Sequence, residues 1–286
     1  MTRRRMPIGA ELVAGGTHFR VWAPEAKAVT VVFEDARLAP VALAAEEHGY
    51  FSAMVPDIRA GTRYRYRIGD RSYPDPASRS QPEGPHGPSE VVDPTRFRWT
   101  DAKWPGVTRG GLVIYEMHVG TFTPEGTWKS AAQQLAELAR IGVSMIELMP
   151  VADFPGNFGW GYDGVNFFAP TRLYGAPDDM RAFVDKAHAV GIAVILDVVY
   201  NHFGPDGNYL KSFAKSYFSE KYKNEWGEAL NYDGPDSAPC REFMIANAGY
   251  WIDEFHLDGL RLDATQQIFD DSKEHLLLAI SKKVRA

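Results

Sequence analysis

The sequence has a single cysteine, Cys240, among 286 residues, so no intrachain disulfide can form. No Cys/His grouping has the spacing of a zinc site. No stretch approaches the roughly 18 consecutive apolar residues of a membrane span. The start, Met1 to Met6, is basic but lacks the apolar run of about 7–15 residues that a signal peptide needs. There is no long block of one charge, and the formal net charge is −6, which argues against electrostatic binding of nucleic acid. Short-period repeats and low-complexity tracts are absent. These absences lead to the expectation of a soluble cytoplasmic protein with neither nucleic-acid nor membrane partners.

What is present is room for a large core, with 45% hydrophobic residues and a length that suits about two domains of roughly 150 residues. Aromatic residues make up 13% of the chain. Many sit in loop-like segments, where a ring either stacks on a flat apolar face or roofs the core. From Gly9 to Arg96 the pattern is β-like: Thr17–Trp22, Ala28–Phe33, Tyr50–Val55 and Arg63–Ile68 alternate or are β-branched, and Gly, Pro and Asp separate them. Short strands at such spacing predict an all-β sandwich over residues 1–96. Within it, residues 72–96 are too proline-rich for strand or helix and predict an extended, packed linker.

From Leu112 the pattern becomes strand then helix, repeated. Strands are predicted over 112–119, 143–150, 192–199 and 255–264, and helices over 127–142, 176–191, 239–255 and 271–285. In the first helix Leu135, Leu138 and Ile141 share a side; in the second Met180, Phe183, Val184 and Ala187 fall at i, i+3, i+4, i+7. Gly142 and Gly191 are the stops. Four successive βα units mean a parallel sheet with helices on it. A doubly wound sheet and a barrel both fit; long aromatic loops after the second and third strands favour the barrel.

The strand ends carry unusual polar residues. Gly159-Trp160-Gly161-Tyr162-Asp163 follows the second strand, Asp197-Val198-Val199-Tyr200-Asn201-His202 ends the third, and Gly259-Leu260-Arg261-Leu262-Asp263 ends the fourth. Strand side chains alternate faces, so Arg261 and Asp263 point the same way. A guanidinium beside a carboxylate favours its ionised form. The C-terminal ends of barrel strands are where such folds place their chemistry. An ordinary strand-end ion pair is the plainer alternative.

Together, in this order, these segments closely resemble the α-amylase superfamily, glycoside hydrolase family 13. The resemblance covers essentially the whole chain. It implies a carbohydrate-binding-like β-sandwich followed, over residues 97–286, by the first half of a TIM (β/α)8 barrel. Two loops, Pro74–Ser89 and His202–Leu210, are similar to those of family members that release trehalose from malto-oligosyltrehalose. Branching or debranching enzymes are the alternative, and a non-catalytic α-glucan-binding fragment is an alternative of another kind. By the resemblance Asp263 is the nucleophile of a retaining glycosidase and Arg261 orients it. His202 binds the sugar at the cleaved position, and Tyr162 stacks beneath its ring. Asn201 and Asp197 support the loop and the arginine, and Trp160 and Asp163 line the site. The partner implied is an α-glucan, and no cofactor is implied. Asn201 matches a position that binds calcium in some amylases, but further oxygen ligands are lacking, so no metal site is expected.

A retaining glycosidase needs a second carboxyl about 5 Å from the first. The resemblance puts it after a fifth strand, beyond residue 286, so a longer protein and an inactive isolated chain are expected. Half a barrel would leave an open sheet edge and an uncovered apolar interior. Glu116 and His118, two apart on one strand, are expected to form an internal hydrogen-bonded pair. His256 and Asp258 are expected to be structural. Trp226, Asn231 and Tyr232 are candidates for outer-sugar contacts, and Cys240 reads as a buried thiol.

Overall fold

Alternating and β-branched runs pair as strands when one face can be buried. The computed structural model, which describes residues 4–285, shows β1 (Gly9–Val13), β2 (Gly16–Trp22), β3 (Thr30–Phe33), β4 (Val41–Ala42), β5 (Ala44–Ala45), β6 (Tyr50–Pro56), β7 (Arg63–Ile68), β8 (Arg71–Tyr73) and β9 (Ser89–Glu90). Residues 1–3 of the basic start and residue 286 lie outside that range. The strands form two antiparallel sheets, ordered β1-β2-β6-β5 and β4-β3-β7-β8, with β9 also on β7. Phe19, Val21, Val29, Val31, Tyr64 and Tyr66 bury their side chains in one core cluster.

The proline-rich segment packs against this sandwich. The buried Asp75 carboxylate accepts from the Tyr64 hydroxyl at 2.7 Å and from the Ala77 amide at 2.8 Å. Burial pushes that carboxyl up to about 6, against the bonds that stabilise its charge. Further along, buried Arg79 meets Glu254 at 3.2 Å, and Arg5 and Arg181 reach the same carboxylate at 3.3 and 3.6 Å.

The second part is built from β10 (Ile114–Met117), α1 (Val119–Phe122), α2 (Trp128–Gln133), α3 (Leu135–Arg140), β11 (Met145–Leu148), β12 (Ala152–Asp153), β13 (Asn166–Pro170), α4 (Pro177–Ala189), β14 (Ala193–Val198), α5 (Leu210–Phe213), β15 (Phe218–Lys223), β16 (Glu228–Leu230), α6 (Ser237–Phe255), β17 (Gly259–Leu262) and α7 (Leu276–Val284). Strands β10, β11, β14 and β17 pair in parallel in that order, as an open sheet. Both outer strands are edges, and Val113 and Ile114 at one edge are 52% and 50% exposed. No helix among the described residues is long and apolar enough to cross a membrane.

Glycine stops work as expected. The amides of Gly142 and Val143 bond the carbonyls of Ala139 and Leu138, and those of Gly191 and Ile192 bond His188 and Ala187. Both glycines have positive φ, which completes a Schellman cap. Three expectations change. The helix over 127–142 is split at Gln134, whose amide turns back to the Ala131 carbonyl three residues earlier. Ile141 is 60% exposed rather than on the buried side with Leu135 and Leu138, because it is the cap residue beyond the last helical turn. The last helix begins at Leu276, not Asp271, because residues 270–275 wrap around Asp270, which accepts from the Leu276 amide and from Arg241, both at 2.6 Å.

Below the sheet, at the ends opposite the motif residues, residues 99–104 form a strap. Trp99 stacks on His256 with ring centroids 3.7 Å apart, and Trp104 stacks on His188 at 4.7 Å. His188 lies 3.0 Å from both Asp101 and Asp258, and His256 lies 2.8 Å from Asp101. His256 and Asp258 thus have structural partners. Burial opposes charge on His188, but the two carboxylates outweigh it and raise its pKa above 6.5. Burial likewise opposes charge on Asp101, but the imidazoles outweigh it and hold its pKa below 3.8.

The sign follows from linkage. The His188 contribution is complete below about pH 6.5 and lost as pH rises through its raised native value; the Asp101 contribution is complete above about pH 4 and lost below. The network therefore stabilises most at about pH 4–6.5. His188→Gln is expected to cost about 1–3 kcal/mol at pH 5 and clearly less at pH 9, read by urea denaturation at both values.

Candidate active site

The parallel register sets the first contact: Arg261 on β17 stands opposite Asp197 on β14. Arg261 Nη1 donates to both Asp197 oxygens, at 2.9 and 2.8 Å, and to Asp263 Oδ1 at 2.5 Å. Its Nε lies 4.0 Å from Glu147 on β11. Burial works against the charge on Arg261, but its bonds to the two aspartates raise its pKa further, so it is a permanent cation. Burial pushes buried Asp197 up to about 6, although Arg261 and Tyr162 pull the other way.

The remaining side chains close around this bridge. The Tyr162 hydroxyl donates to Asp197 Oδ2 at 3.1 Å. Burial, then the Asp197 charge, pushes the phenol's pKa up, so it stays a neutral donor. Asn201 Nδ2 donates to the Asp263 carbonyl at 3.0 Å and lies 3.5 Å from Oδ2. His202 contacts the Asn201 side-chain oxygen through Nδ1 and the Tyr162 carbonyl through Nε2 at 3.0 Å. Burial lowers the pKa of the imidazole more than the Tyr162 carbonyl raises it. Asp197, Tyr162, Asn201, His202, Arg261 and Asp263 are therefore brought together.

Two glycines make this possible. A Cβ on Gly161, at φ +99°, would collide with the Pro150 carbonyl, and one on Gly204 would collide with the Asp163 carbonyl. Only bare backbone lets the loop after β11 press on its own strand and on the loop after β14. Asp163 contributes that backbone packing, with its side chain exposed, and Trp160 is 73% exposed. Directly after Asp263, Ala264 adopts a left-handed conformation at φ 38°, a costly backbone state for a residue with a Cβ.

Other expectations separate here. Glu116 and His118 do not pair: His118 bonds Thr121 Oγ1, the Gly159 carbonyl and the Tyr174 hydroxyl, each at 2.9 Å. Asn231 and Tyr232 are buried and bonded to backbone carbonyls, so neither reaches an outer sugar. Trp226 is 60% exposed and remains available. Cys240 is fully buried, which pushes its thiol up to about 12. No group of three or more His, Cys, Asp or Glu among the described residues is arranged to hold a metal. Three neighbours escaped the sequence reading. Glu147 approaches Arg261, Asn224 donates to the Asn201 carbonyl at 2.6 Å, and Phe158 stands exposed beside Trp160. Only Phe158, an aromatic among glycines, carried a sequence signal.

Residues 7–94 match the family model of carbohydrate-binding module 48 (isoamylase N-terminal domain), and residues 91–228 match that of the alpha amylase catalytic domain. A malto-oligosyltrehalose trehalohydrolase of Saccharolobus solfataricus is 46% identical over 280 residues, covering 98% of this chain and 49% of the relative. One of Deinococcus radiodurans is 44% identical over 282 residues, covering 98% and 46%. A solved structure from Salmonella typhimurium, provisionally named an alpha amylase, has a TM-score of 0.93 at 43% identity, covering 98% of this chain and 47% of that one. The chain spans about half the length of the curated relatives it matches.

Arg261→Met removes the only cation that bonds Asp197 among the described residues. The carboxyl, already at about 6, is expected to rise further, so that at high pH a buried, unpaired charge must form. Stability should fall by roughly 1–3 kcal/mol at pH 8, discounted for the partial exposure of Arg261, and by less at pH 5, where Asp197 is protonated. Denaturant titrations at the two values check the direction.

Proposed function

Because this chain belongs to the α-amylase family, we propose that it carries the nucleophile side of a retaining glycosidase that frees trehalose from malto-oligosyltrehalose. The bond cleaved is the adjacent α-1,4 linkage. The observation that carries the proposal is the Arg261 bridge, with Tyr162, Asn201 and His202 closing on it. The finer choice of substrate rests on the relatives, both named malto-oligosyltrehalose trehalohydrolase. It also rests on the two signature loops, which touch: His86 Nδ1 meets the Tyr209 hydroxyl at 2.7 Å.

The geometry divides the labour between the two oxygens of Asp263. Oδ1 is tied to the guanidinium, which leaves Oδ2 to attack the anomeric carbon. The bond to the leaving oxygen breaks as an ester forms, and water later hydrolyses that ester. Negative charge at Asp263 and the fixed dipoles around it favour an oxocarbenium-like transition state. Tyr162 offers its ring to the sugar while its hydroxyl holds Asp197. A sugar hydroxyl at His202 Nε2 shares or replaces the bond to the Tyr162 carbonyl. Protonation of the leaving oxygen needs a second carboxyl, which the family resemblance assigns to a fifth strand.

In the longer protein that carries this sequence, Asp263→Asn should lower trehalose release on the order of 10⁴-fold or more while malto-oligosyltrehalose still binds. The 286-residue polypeptide by itself should bind and release no trehalose. Chromatography of the products reads both. Unchanged release from Asp263→Asn, or turnover by the polypeptide alone at the rate of the longer protein, would overturn this assignment.

A further inference from the structure

We infer that Tyr222, on the β15–β16 hairpin, and Asp233, just after it, are positioning residues: they clamp the loop that follows β17 and so hold Asp263 in its attacking position. The inference deepens the glycosidase reading and rests on it. It starts from Ala264, which follows Asp263 directly and is left-handed at φ 38°. A residue with a Cβ keeps that state only where its surroundings impose it. The Arg261 bond fixes the Asp263 side chain and the Asn201 bond fixes its carbonyl, but neither reaches past Asp263. The restraint on Ala264 therefore has to come from the residues beyond it as well.

Those residues are pinned one after another. The Gln267 amide bonds the Ala264 carbonyl at 2.8 Å, and Ile268 is buried in the main core. Phe269 stacks on Tyr222, with ring centroids 5.0 Å apart and planes at 17°. Asp270 is held by Arg241 of α6. The Asp271 amide donates to Asp233 Oδ2 at 3.0 Å. Lys221 Nζ donates to the same oxygen at 3.0 Å and to Asp271 Oδ2 at 2.9 Å. The Tyr222 hydroxyl donates to Asp233 Oδ2 at 2.5 Å and lies 2.9 Å from Asp271 Oδ2. Burial opposes the charge on Asp233, but its bonds to Tyr222, Lys221 and the Asp271 amide outweigh it and hold its pKa below 3.8.

The hairpin is a firm base for this clamp. At its foot the buried Tyr232 hydroxyl donates to the Tyr200 carbonyl, just past β14, at 2.7 Å. At its turn Asn224 donates to the Asn201 carbonyl at 2.6 Å. Both anchors lie on the segment that carries Asn201 and His202. The hairpin thus ties the loop after β14 to the loop after β17, and the side chains of those two segments meet at Asp263. With the clamp released, Ala264 relaxes to right-handed backbone and Asp263 turns with it. A displacement of about 1 Å is enough to spoil the approach of Oδ2 to an anomeric carbon.

The test uses the longer protein that carries this sequence, with malto-oligosyltrehalose as substrate and trehalose release as the readout. Asp233→Asn removes the charge that gathers Lys221, Tyr222 and the Asp271 amide. It is expected to lower kcat on the order of tenfold while KM stays within about twofold. Ala264→Gly supplies the discriminating arm, because glycine adopts positive φ without steric cost and depends less on the clamp. In the Ala264→Gly background, Asp233→Asn should lower kcat by about threefold or less. Tyr222→Phe keeps the ring against Phe269 and loses the hydroxyl; it should lower kcat roughly threefold, and it decides the matter if Asp233→Asn does not fold. Unchanged kcat in the clamp variants overturns the positioning role but not the glycosidase reading. So does an equal loss in both backgrounds, or a loss confined to KM. If the unaltered longer protein releases no trehalose, the glycosidase reading falls, and the clamp's role in it falls too.

Discussion

One guanidinium nitrogen holds the candidate site together. Arg261 Nη1 bonds two carboxylates that would otherwise repel each other, one on the neighbouring strand and one two residues along its own. Asp197 is buried, so its charge is tolerable only with a cation in contact. Asp263 needs a fixed oxygen, and the same cation fixes it. Both needs are met because the β14–β17 register sets Asp197 opposite Arg261 and strand alternation sets Asp263 on the same side. A one-residue slip in that register would place Arg261 opposite an apolar side chain and break both bonds at once.

The sheet is tied at both ends by different chemistry. At the motif end the ties are charge-assisted bonds among half-buried groups, with a strained Ala264 following the putting-in-place of Asp263. At the other end the ties are stacked Trp–His pairs and a shared Asp101, remote from any of the motif residues. The second set serves to lock residues 99–104 across the strand starts, and its His256 is itself left-handed, at φ 51°. Charged groups gathered at the C-terminal strand ends, with stacked and paired groups at the other, is the distribution expected where one end of a sheet does chemistry.

Much of this could be read from the chain itself, for physical reasons that differ by element. Met180, Phe183, Val184 and Ala187 fix α4 because their spacing matches the helical repeat, and all four are fully buried. Gly142 and Gly191 mark helix ends because the cap needs positive φ. The site residues were legible because each sits at a strand end in a recognisable motif. The break at Gln134, the β15–β16 hairpin and the late start of α7 were not: a backbone bond to the Ala131 carbonyl decides the first and the Arg241–Asp270 contact the last, and neither leaves a residue pattern. Asn231 and Tyr232 misled because a polar residue in a long loop looks solvent-facing, whereas here the loop folds in and its side chains satisfy buried carbonyls. His118 misled because its partners lie in later loops, not on its own strand.

The loop that begins at His202 explains why a β-sandwich accompanies this sheet. Eight residues beyond it α5 starts, and the Phe213 ring at its end is buried within the sandwich core cluster, 6.3 Å from Tyr66 and 5.9 Å from Tyr73. Tyr209, just before α5, bonds His86 of the proline-rich segment and packs on Tyr73. The segment that carries Asn201 and His202 is therefore anchored outside the sheet, in the neighbouring core. A long loop pays entropy to be held in one conformation, and burying Phe213 and Tyr209 offsets that cost. The sandwich thus helps to position the imidazole and the amide beside Asp263 through packing and the His86–Tyr209 bond, whatever else its own surface binds.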